Sequence, residues 1–293
     1  MTVDAIEHRR LRGAGVDLHV ATLGTGAPVI LLHGFPESWR SWRHQMPALA
    51  AGGFAAWAPD LRGYNLSDRP PRRADYHLRL LVDDVAALVR ATGHQRAHVV
   101  GHDWGGIVAW SFAGAYPELL HRLVILNAPH LRLFARKVRR PPQIFRSWYI
   151  LLFQLPGLAE RLLAARDFAA LRHMFGRMPA NRGAFPADEI ERYVEAMRPP
   201  GALTAALNYY RALAREPGGA TLAVRARSAA DTLVIWGSRD PALGTELLEG
   251  LERHAPRLTI HRIATAGHWV QNEAPEEVNR VLLDFLRRPD AGR

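Results

Sequence analysis

The stretch between residues 97 and 116 combines an apolar strand pattern, a glycine-rich turn and an apolar helix pattern in immediate succession. The strand is predicted over Ala97–Gly101, the turn contains His102, Asp103 and Trp104, and the helix is predicted over Gly105–Tyr116. The glycines on either side allow the chain to turn sharply. A strand that enters a helix through such a turn holds one side chain above a sheet, an arrangement called a nucleophile elbow. Here that side chain is the carboxylate of Asp103.

Strand and helix patterns alternate along most of the chain, which predicts an α/β protein. The other candidate strands are apolar runs bounded by turn residues: Val16–Leu23, Pro28–Leu32, Phe54–Ala58, Leu123–Leu126, Thr232–Trp236 and Leu258–Ile263. The other candidate helices have a longer apolar period: Trp39–Ala51, Leu78–Thr92, Thr245–Arg253 and Pro275–Leu286. Alternation of this kind is typical of a largely parallel sheet with helices packed against its faces.

The alternation is interrupted between residues 129 and 229. Proline and glycine pairs divide this stretch at 141–142, 156–157, 199–201 and 217–219, and short aromatic-rich helical patterns lie between them. No strand is predicted there. The sequence therefore predicts a core domain made of residues 1–128 and 230–293, with residues 129–229 inserted as a helical lid.

Two residues downstream are suitable partners for Asp103. Asp240 follows the strand Thr232–Trp236, and His268 follows the strand Leu258–Ile263. Because ligands in open α/β sheets bind at the carboxyl ends of the strands, all three side chains are expected at one edge. Their order of nucleophile, acid and histidine is that of a catalytic triad. Taken alone, Asp103 is equally well explained as a helix cap, and a histidine as a structural residue.

The segment from His33 to Trp39 follows the strand Pro28–Leu32 and is the candidate oxyanion loop. A nucleophile at an elbow needs one backbone N–H from the next residue, Trp104, and one from this loop, which points to Phe35. Pro36 favours a cis peptide bond that would direct the Phe35 N–H inward. A plain strand-to-helix turn is the alternative interpretation.

These motifs resemble those of the α/β-hydrolase fold, and within it those of the epoxide hydrolases. The similar segments are His33–Pro36, Arg62–Tyr64 with Ser67 and Asp68, Gly101–Gly106, and Gly267–Trp269. The resemblance spans nearly the whole chain, lid included, and departs slightly at Asn65 and Leu66. It implies a mostly parallel eight-stranded sheet flanked by helices. It also implies that His33, Pro36, Trp104 and Trp269 contact the substrate.

Epoxide hydrolases carry two lid tyrosines that hold the epoxide oxygen. The segment Ser147–Gly157 is similar to the one that carries the first, which places it at Tyr149. The segment Leu207–Arg211 is similar to the second, and the tyrosine directly before the arginine matches, so Tyr210 is preferred over Tyr209. Each tyrosine alone is equally suited to the core of the lid.

A carboxylate nucleophile and a phenol donor together favour one reaction. Asp103 is ionised at neutral pH and suits attack on a saturated carbon, which yields an ester. His268, oriented by Asp240, would then activate water to cleave that ester. An epoxide releases an alkoxide that needs a proton, and tyrosine can supply it. The sequence thus predicts an epoxide hydrolase that forms a vicinal diol.

Two other functions remain as alternatives. Dehalogenases use the same aspartate, but a halide needs no proton. Haloalkane dehalogenases usually place asparagine where Phe35 stands, and fluoroacetate dehalogenases place arginine where Trp104 stands. A non-catalytic binding protein on this fold would usually lose a member of the triad, whereas Asp103, Asp240 and His268 are all present.

The composition limits cofactors, partners and location. The absence of cysteine excludes disulfides and thiolate metal sites, and neither a metal nor another cofactor is expected. The net charge of +10 comes from arginine spread along the chain, which is interpreted as a composition bias rather than a nucleic-acid site. The basic run Arg132–Arg140 is interpreted as a solvated helix face, with a membrane or anion site as the alternative.

The expected partners are a small apolar epoxide and water. The lid aromatics suggest an aryl-bearing substrate or a lid core: Phe145, Trp148, Phe153, Phe168 and Phe175. The polar start at Met1–Arg12 and the lack of a long apolar run favour a cytoplasmic protein without a membrane partner. The sequence allows a homodimer.

Overall fold

A central sheet of eight strands organises the computed structural model, which describes residues 6–215 and 227–289. The strands are β1 (Glu7–Arg12), β2 (Asp17–Leu23), β3 (Ala27–Leu32), β4 (Phe54–Pro59), β5 (Ala97–His102), β6 (Leu120–Leu126), β7 (Asp231–Gly237) and β8 (Leu258–Ile263). Their spatial order is β1-β2-β4-β3-β5-β6-β7-β8. Only β2 runs against its neighbours, so the predicted mostly parallel eight-stranded sheet is confirmed.

Strand β1 has no counterpart among the predicted strands. Its sequence Glu-His-Arg-Arg-Leu-Arg is charged and largely exposed, and it lacks the apolar alternation of a half-buried strand. It forms because its backbone pairs with β2, where Leu11 lies opposite Leu18. Charged side chains at such an outer position protect a sheet from pairing with another chain.

The α-helices lie around the sheet and in the stretch predicted as a lid. They are α1 (Gln45–Ala51), α2 (Leu78–Ala91), α3 (Trp104–Ala115), α4 (Leu131–Lys137), α5 (Gln143–Arg146), α6 (Trp148–Phe153), α7 (Leu158–Arg177), α8 (Ala187–Met197), α9 (Ala202–Arg215), α10 (Val270–Glu273) and α11 (Pro275–Leu286). None of these helices, within the residues described, is long and apolar enough to cross a bilayer.

Two predicted helices are divided in the structure. The stretch predicted over Trp39–Ala51 is a 3₁₀ helix at Trp39–Trp42 followed by α1. Helix α1 begins late because Pro47 has no N–H to donate and is tolerated only in a first turn. The stretch predicted over Thr245–Arg253 forms two 3₁₀ helices, Thr245–Leu248 and Leu251–Arg253. Gly250 lies between them with a left-handed φ of 89°, which a continuous helix does not allow.

Alternate side chains of the central strands belong to two apolar clusters on opposite faces of the sheet. Ile30 and Val99 pack in one cluster, and Val29 and Val100 pack in the other. A strand buried on both faces is expected to be apolar throughout, as β3 is. The first cluster also contains lid side chains such as Leu207, so the lid packs directly on the core.

Between residues 131 and 215 the described chain is helical, without a strand, in the region predicted as a lid. Helix α7 is interrupted at residues 165–168, where Arg166, Asp167 and Phe168 have left-handed backbone angles. The ion pairs of Asp167 with Arg172 and Arg198 hold this bend. The predicted break at 217–219 lies outside the described residues.

Candidate active site

Asp103 stands on a backbone turn of the kind that an elbow requires. It follows β5 and precedes α3, with φ 50° and ψ −118°, which a residue with a side chain rarely adopts. The neighbouring glycines make the turn possible because, without side chains, they allow backbone segments to lie very close together. A Cβ on Gly101 would lie 2.3 Å from the carbonyl oxygen of Gly105, and one on Gly105 would lie 2.1 Å from that of Leu32. The strained turn projects the carboxylate beyond the end of β5.

The structure brings the three predicted triad residues together. His268 Nε2 lies 3.7 Å from Asp103 Oδ2, and His268 Nδ1 lies 2.7 Å from Asp240 Oδ2. Burial disfavours the charged imidazole, but the Asp240 carboxylate and then Asp103 outweigh this effect and raise the pKa of His268 to about 9. The imidazole is therefore protonated at neutral pH, with one carboxylate on each side.

Asp240 is held in its ionised form by further donors. Its burial is opposed by the charge of His268, and the net effect lowers the pKa of the carboxyl group. The amides of Ala242 and Leu243 donate to Oδ1 at 2.7 and 2.9 Å, and Asn127 Nδ2 donates to Oδ2 at 2.8 Å. Asn127 follows β6 and was not singled out in the sequence, because an asparagine after a strand carries no motif of its own.

The predicted oxyanion loop reaches the nucleophile. The Phe35–Pro36 peptide bond is cis, as predicted, and the Phe35 N–H donates to Asp103 Oδ1 at 2.9 Å. A Cβ on Gly34 would lie 2.4 Å from that of Asp103, so only glycine allows this approach. Within the described residues, the Trp104 N–H makes no corresponding bond to the carboxylate. The two oxygens of Asp103 thus have different surroundings.

A buried polar network supports this loop and escaped the sequence analysis. Glu37 accepts from the Gly34 N–H at 2.8 Å and from His102 Nδ1 at 2.8 Å. His102 Nε2 lies 2.9 Å from the carbonyl oxygen of His268, so both ring nitrogens face acceptors. Burial opposes the charge of Glu37, but His102 and hydrogen bonds including one from Ser41 lower its pKa to about 2. The network joins the predicted oxyanion loop to the backbone of His268.

Glu273 holds the other side of the His268 loop. Its carboxylate accepts from the N–H groups of Gly267 at 2.9 Å and Trp269 at 3.1 Å, the residues on either side of His268. It also accepts from the Asn181 N–H of the lid at 3.0 Å. The Glu273 carboxylate therefore connects the loop containing His268 to the lid. The sequence alone did not indicate this connection.

The nucleophile lines an internal cavity of about 540 Å³ between the core and the lid. We call this cavity the large limb. Its lining includes Asp103, Tyr149, Tyr210 and His268 and is otherwise mostly apolar. Of the lid aromatics, Phe145, Trp148 and Phe153 line the large limb, whereas Phe168 and Phe175 are buried in the lid core.

A second cavity of about 140 Å³ lies on the other side of the same three residues, Asp103, Tyr149 and Tyr210. We call it the small limb. The ring of Trp104 lines it and packs edge-on against Tyr210, with ring centroids 4.9 Å apart. The nucleophile thus lies between two apolar spaces of unequal size.

The two predicted tyrosines face the nucleophile. The rings of Tyr149 and Tyr210 are 6.3 Å apart between centroids and both line the two limbs. Burial raises the pKa of each phenol, and the charge of Asp103 raises it further, so both remain hydrogen-bond donors. Tyr209 points away and donates to the Arg62 carbonyl oxygen at 2.8 Å. The choice of Tyr210 over Tyr209 therefore agrees with the cavity lining.

Two of the four predicted substrate contacts lie elsewhere. Trp269 lines the large limb and also packs on Phe175 of the lid. His33 and Pro36 line neither limb. His33 is fully buried, and its ring accepts from the Leu61 N–H at 3.0 Å and donates to the Gly34 carbonyl oxygen at 2.9 Å. His33 therefore holds the backbone of the loop through hydrogen bonds and does not contact the cavity.

No group of three or more histidine, aspartate or glutamate residues in the described ranges is arranged to hold a metal ion. The order of the strands and the turn at Asp103 are shared with a known family. The family model of the α/β hydrolase fold matches residues 27–275. The chain belongs to this family.

Within the α/β hydrolase family, the chain falls among the epoxide hydrolases. It is 36% identical to epoxide hydrolase 3 of Xenopus tropicalis, over 95% of this chain and 77% of that protein. It is 38% identical to the AB hydrolase superfamily protein YfhM of Bacillus subtilis, over 97% of this chain and 99% of that protein. The solved structure of an epoxide hydrolase mutant from Bacillus megaterium superposes with a TM-score of 0.86 at 32% identity, covering 96% and 100% of the two chains.

Proposed function

We propose that this enzyme hydrolyses apolar epoxides to vicinal diols through a covalent ester on Asp103. One observation carries the proposal: a carboxylate and two phenol donors, Tyr149 and Tyr210, line the same apolar cavity beside a protonated histidine. Relatives and solved structures named as epoxide hydrolases support the same reaction.

The first step is alkylation of the nucleophile. Asp103 Oδ1 is occupied by the Phe35 N–H, which leaves Oδ2 to attack a ring carbon of the epoxide. The carbon–oxygen bond of the ring breaks, and its electron pair moves to the epoxide oxygen. Tyr149 or Tyr210 donates a proton to that oxygen, because an alkoxide is otherwise a poor leaving group.

The second step is hydrolysis of the ester. Once Asp103 is esterified, its negative charge is lost, and one of the two carboxylates that stabilise protonated His268 no longer does so. The imidazole then gives up its proton, which restores the phenol deprotonated in the first step. The neutral ring takes a proton from a water molecule that attacks the ester carbonyl carbon. The Phe35 N–H, and the Trp104 N–H once the centre becomes tetrahedral, stabilise the charge on Oδ1. The Cγ–Oδ2 bond breaks, and the leaving alkoxide takes a proton from His268 to become the diol. The new carboxylic acid of Asp103 then returns its proton to His268, which restores the starting state.

The two limbs indicate the shape of the substrate. A ring opened at Asp103 would place one substituent in the space of about 540 Å³ and the other in the space of about 140 Å³. An epoxide with one bulky apolar group and one small group fits this division. Aromatic side chains in the larger space, including Trp148 and Phe153, favour an aryl substituent.

Trapping of the ester tests the mechanism. Incubation of His268→Ala with styrene oxide is expected to produce a protein heavier by one epoxide in intact mass spectrometry, because the second step is blocked. Asp103→Asn serves as the matched control and should gain no mass when it is analysed before the amide can deamidate. Failure of the His268→Ala protein to gain mass would contradict the covalent route.

A panel of substrates tests the reaction class. Epoxides and haloalkanes are assayed side by side, with diol and halide as the measured products. We expect diol formation from epoxides and slower halide release, because the phenols of Tyr149 and Tyr210 assist an oxygen leaving group. Faster turnover of haloalkanes would instead identify a dehalogenase that uses the same aspartate.

A further inference from the structure

The exposed apolar side chains of the described residues are concentrated on one part of the lid. Ten large apolar side chains are more than a third exposed, and eight of them lie between residues 144 and 178. They are Ile144, Phe145, Trp148, Leu151, Leu155, Leu158, Leu162 and Met178, and we call them the lid surface. Apolar residues clustered in this way mark an interaction surface, whereas isolated ones do not.

Helices α5 and α6 are apolar on the side that faces water as well as on the side that faces the cavity. Tyr149 and Phe153 line the large limb. Phe145, Trp148 and Leu151, spaced three residues apart, are 73%, 62% and 75% exposed. A surface helix normally carries polar residues on its outer side. The outer apolar side therefore requires an explanation other than packing within the lid.

The lid surface surrounds the entrance to the large limb. Phe145, Trp148, Leu162 and Met178 line this cavity and are also exposed, so they form the rim of its opening. A partner that binds the lid surface would therefore also lie against the opening of the large limb.

The lid surface lies within the segment that carries nearly all of the net charge. Residues 131–182 contain eleven arginines and lysines and two acidic residues, a net charge of +9 compared with +10 for the whole chain. The arginines are spread along the chain, but the acidic residues are largely missing from this segment. Arg139, Arg140 and Arg161 are exposed and make no ion pair with the other residues described.

We propose that the lid surface docks onto an anionic lipid bilayer, with the mouth of the large limb against the membrane. Arg139 and Arg140 precede Ile144 and Phe145 by about one turn, and the Ile144 N–H donates to the Arg140 carbonyl oxygen. Basic residues close in sequence to exposed tryptophan, phenylalanine and leucine are typical of helices that lie in the interface of anionic membranes. A second copy of the chain fits poorly, because it would bring together two segments that each carry a net charge of +9, and these would repel each other. That substrates enter from the bilayer rests on the proposed function, but the docking itself does not.

Flotation with lipid vesicles tests the charge component. Vesicles containing phosphatidylglycerol are expected to bind the protein, and pure phosphatidylcholine vesicles to bind it far more weakly. Arg139→Glu with Arg140→Glu should weaken binding about 30-fold or more, since each basic residue near the surface contributes to the attraction. The matched control, Arg90→Glu with Arg280→Glu, makes the same charge change on core helices and should weaken binding much less.

Insertion of the apolar side chains is measured separately. Leu151→Ser is expected to weaken binding to the anionic vesicles about tenfold, because a buried leucine is lost from the interface. Leu66→Ser, at an exposed leucine of the core domain, is the control and should have no effect. Tryptophan fluorescence should shift to shorter wavelength on binding, and Trp148→Phe should remove most of that shift.

Several results would overturn the proposal. Equal binding to both vesicle types would show that the surface does not recognise anionic lipid. Binding that Leu151→Ser leaves unchanged would show that the surface does not insert. A concentration-dependent dimer that Leu151→Ser dissociates would identify a second copy as the occupant. Protection of Trp148 from acrylamide without vesicles would show that the protein's own chain covers the surface. None of these measurements involves an epoxide, so their failure is distinct from failure of the proposed reaction.

Discussion

His268 is expected to change its role when Asp103 loses its charge. Asp240 and Asp103 raise the pKa of His268 to about 9 against the effect of burial. Ester formation removes the Asp103 charge, so the pKa of His268 should fall in the intermediate. We expect the rate of ester hydrolysis, measured in single turnovers, to rise with an apparent pKa clearly below 9.

The free enzyme provides the comparison for this prediction. NMR titration of His268 should give a lower pKa in Asp103→Asn than in the wild type, because the amide carries no charge. An ester hydrolysis step that titrates at or above the value of the free enzyme would contradict the assigned base.

The lid tyrosines are expected to act on the first step only. Tyr149→Phe and Tyr210→Phe should each slow ester formation in stopped-flow experiments, and the double variant should slow it by about 100-fold or more. Tyr209→Phe is the matched control, because its hydroxyl donates to Arg62 outside the cavity. It should leave ester formation unchanged and cost about 1 kcal/mol of stability. Unchanged ester formation in the double variant would refute the role of Tyr149 and Tyr210.

At the scale of single elements, the elbow depends on glycine at 105. A Cβ there would lie 2.1 Å from the Leu32 carbonyl oxygen, so β3 and α3 would have to separate. We expect Gly105→Ala to lower the free energy of unfolding by about 3 kcal/mol or more, or to prevent folding. Urea unfolding followed by circular dichroism measures this.

Gly176 in α7 provides the control for that substitution. A Cβ there would meet Ile190 Cδ1 at an ordinary 3.7 Å, and the backbone is helical. Gly176→Ala should therefore stabilise the protein by about 0.5–1 kcal/mol. If both variants changed stability equally, the close approach at the elbow would not be the cause.

Elements with a strong local pattern were predictable from the sequence, and those that depend on neighbours were not. Strands β5 and β8 are apolar or alternate clearly, and their predicted bounds differ from the observed ones by at most one residue. Strand β1 is charged and forms only because β2 offers a partner. The bend in α7 is held by ion pairs of Asp167 with Arg172 of the same helix and with Arg198 just after α8, and the second of these contacts is not visible in any local sequence pattern.

The candidate site shows the same division. Asp103, Asp240 and His268 each follow a predicted strand and occur in the order of nucleophile, acid and histidine, so the sequence predicts that they meet at one edge of the sheet. Glu37 and Glu273 act through hydrogen bonds to distant backbone amides. Because glutamate is usually exposed, the sequence alone did not indicate that these two side chains are buried.

At the scale of the whole molecule, stability is expected to decline on both sides of a plateau. Glu37 has a pKa lowered to about 2 by His102 and hydrogen bonds despite its burial, so its stabilisation is present above about pH 4.5 and is lost as the pH falls toward 2. His268 has a pKa raised to about 9, so its stabilisation is complete below about pH 6.5 and is lost as the pH rises toward 9.

Urea unfolding across the pH range measures both declines. We expect the free energy of unfolding to be highest between about pH 4.5 and 6.5 and to fall by on the order of 3 kcal/mol on each side. Glu37→Gln should lower the plateau, because His102 loses its charged partner, and should weaken the acid decline while leaving the alkaline one. A wild-type stability that is equal at pH 3 and pH 5.5 would contradict this account.

The unequal surroundings of the two Asp103 oxygens determine which atoms of the enzyme survive a catalytic cycle. Oδ1 is held by the Phe35 N–H, so in the proposed reaction the oxygen that leaves with the diol would be Oδ2, which faces His268. Water then replaces that oxygen in the carboxylate. After many turnovers in water enriched in heavy oxygen, the peptide containing Asp103 should carry one heavy oxygen and not two. The enzyme would thus exchange Oδ2 of Asp103 for an oxygen atom from water with each molecule of product. Oδ1 would remain in the protein from its synthesis onward.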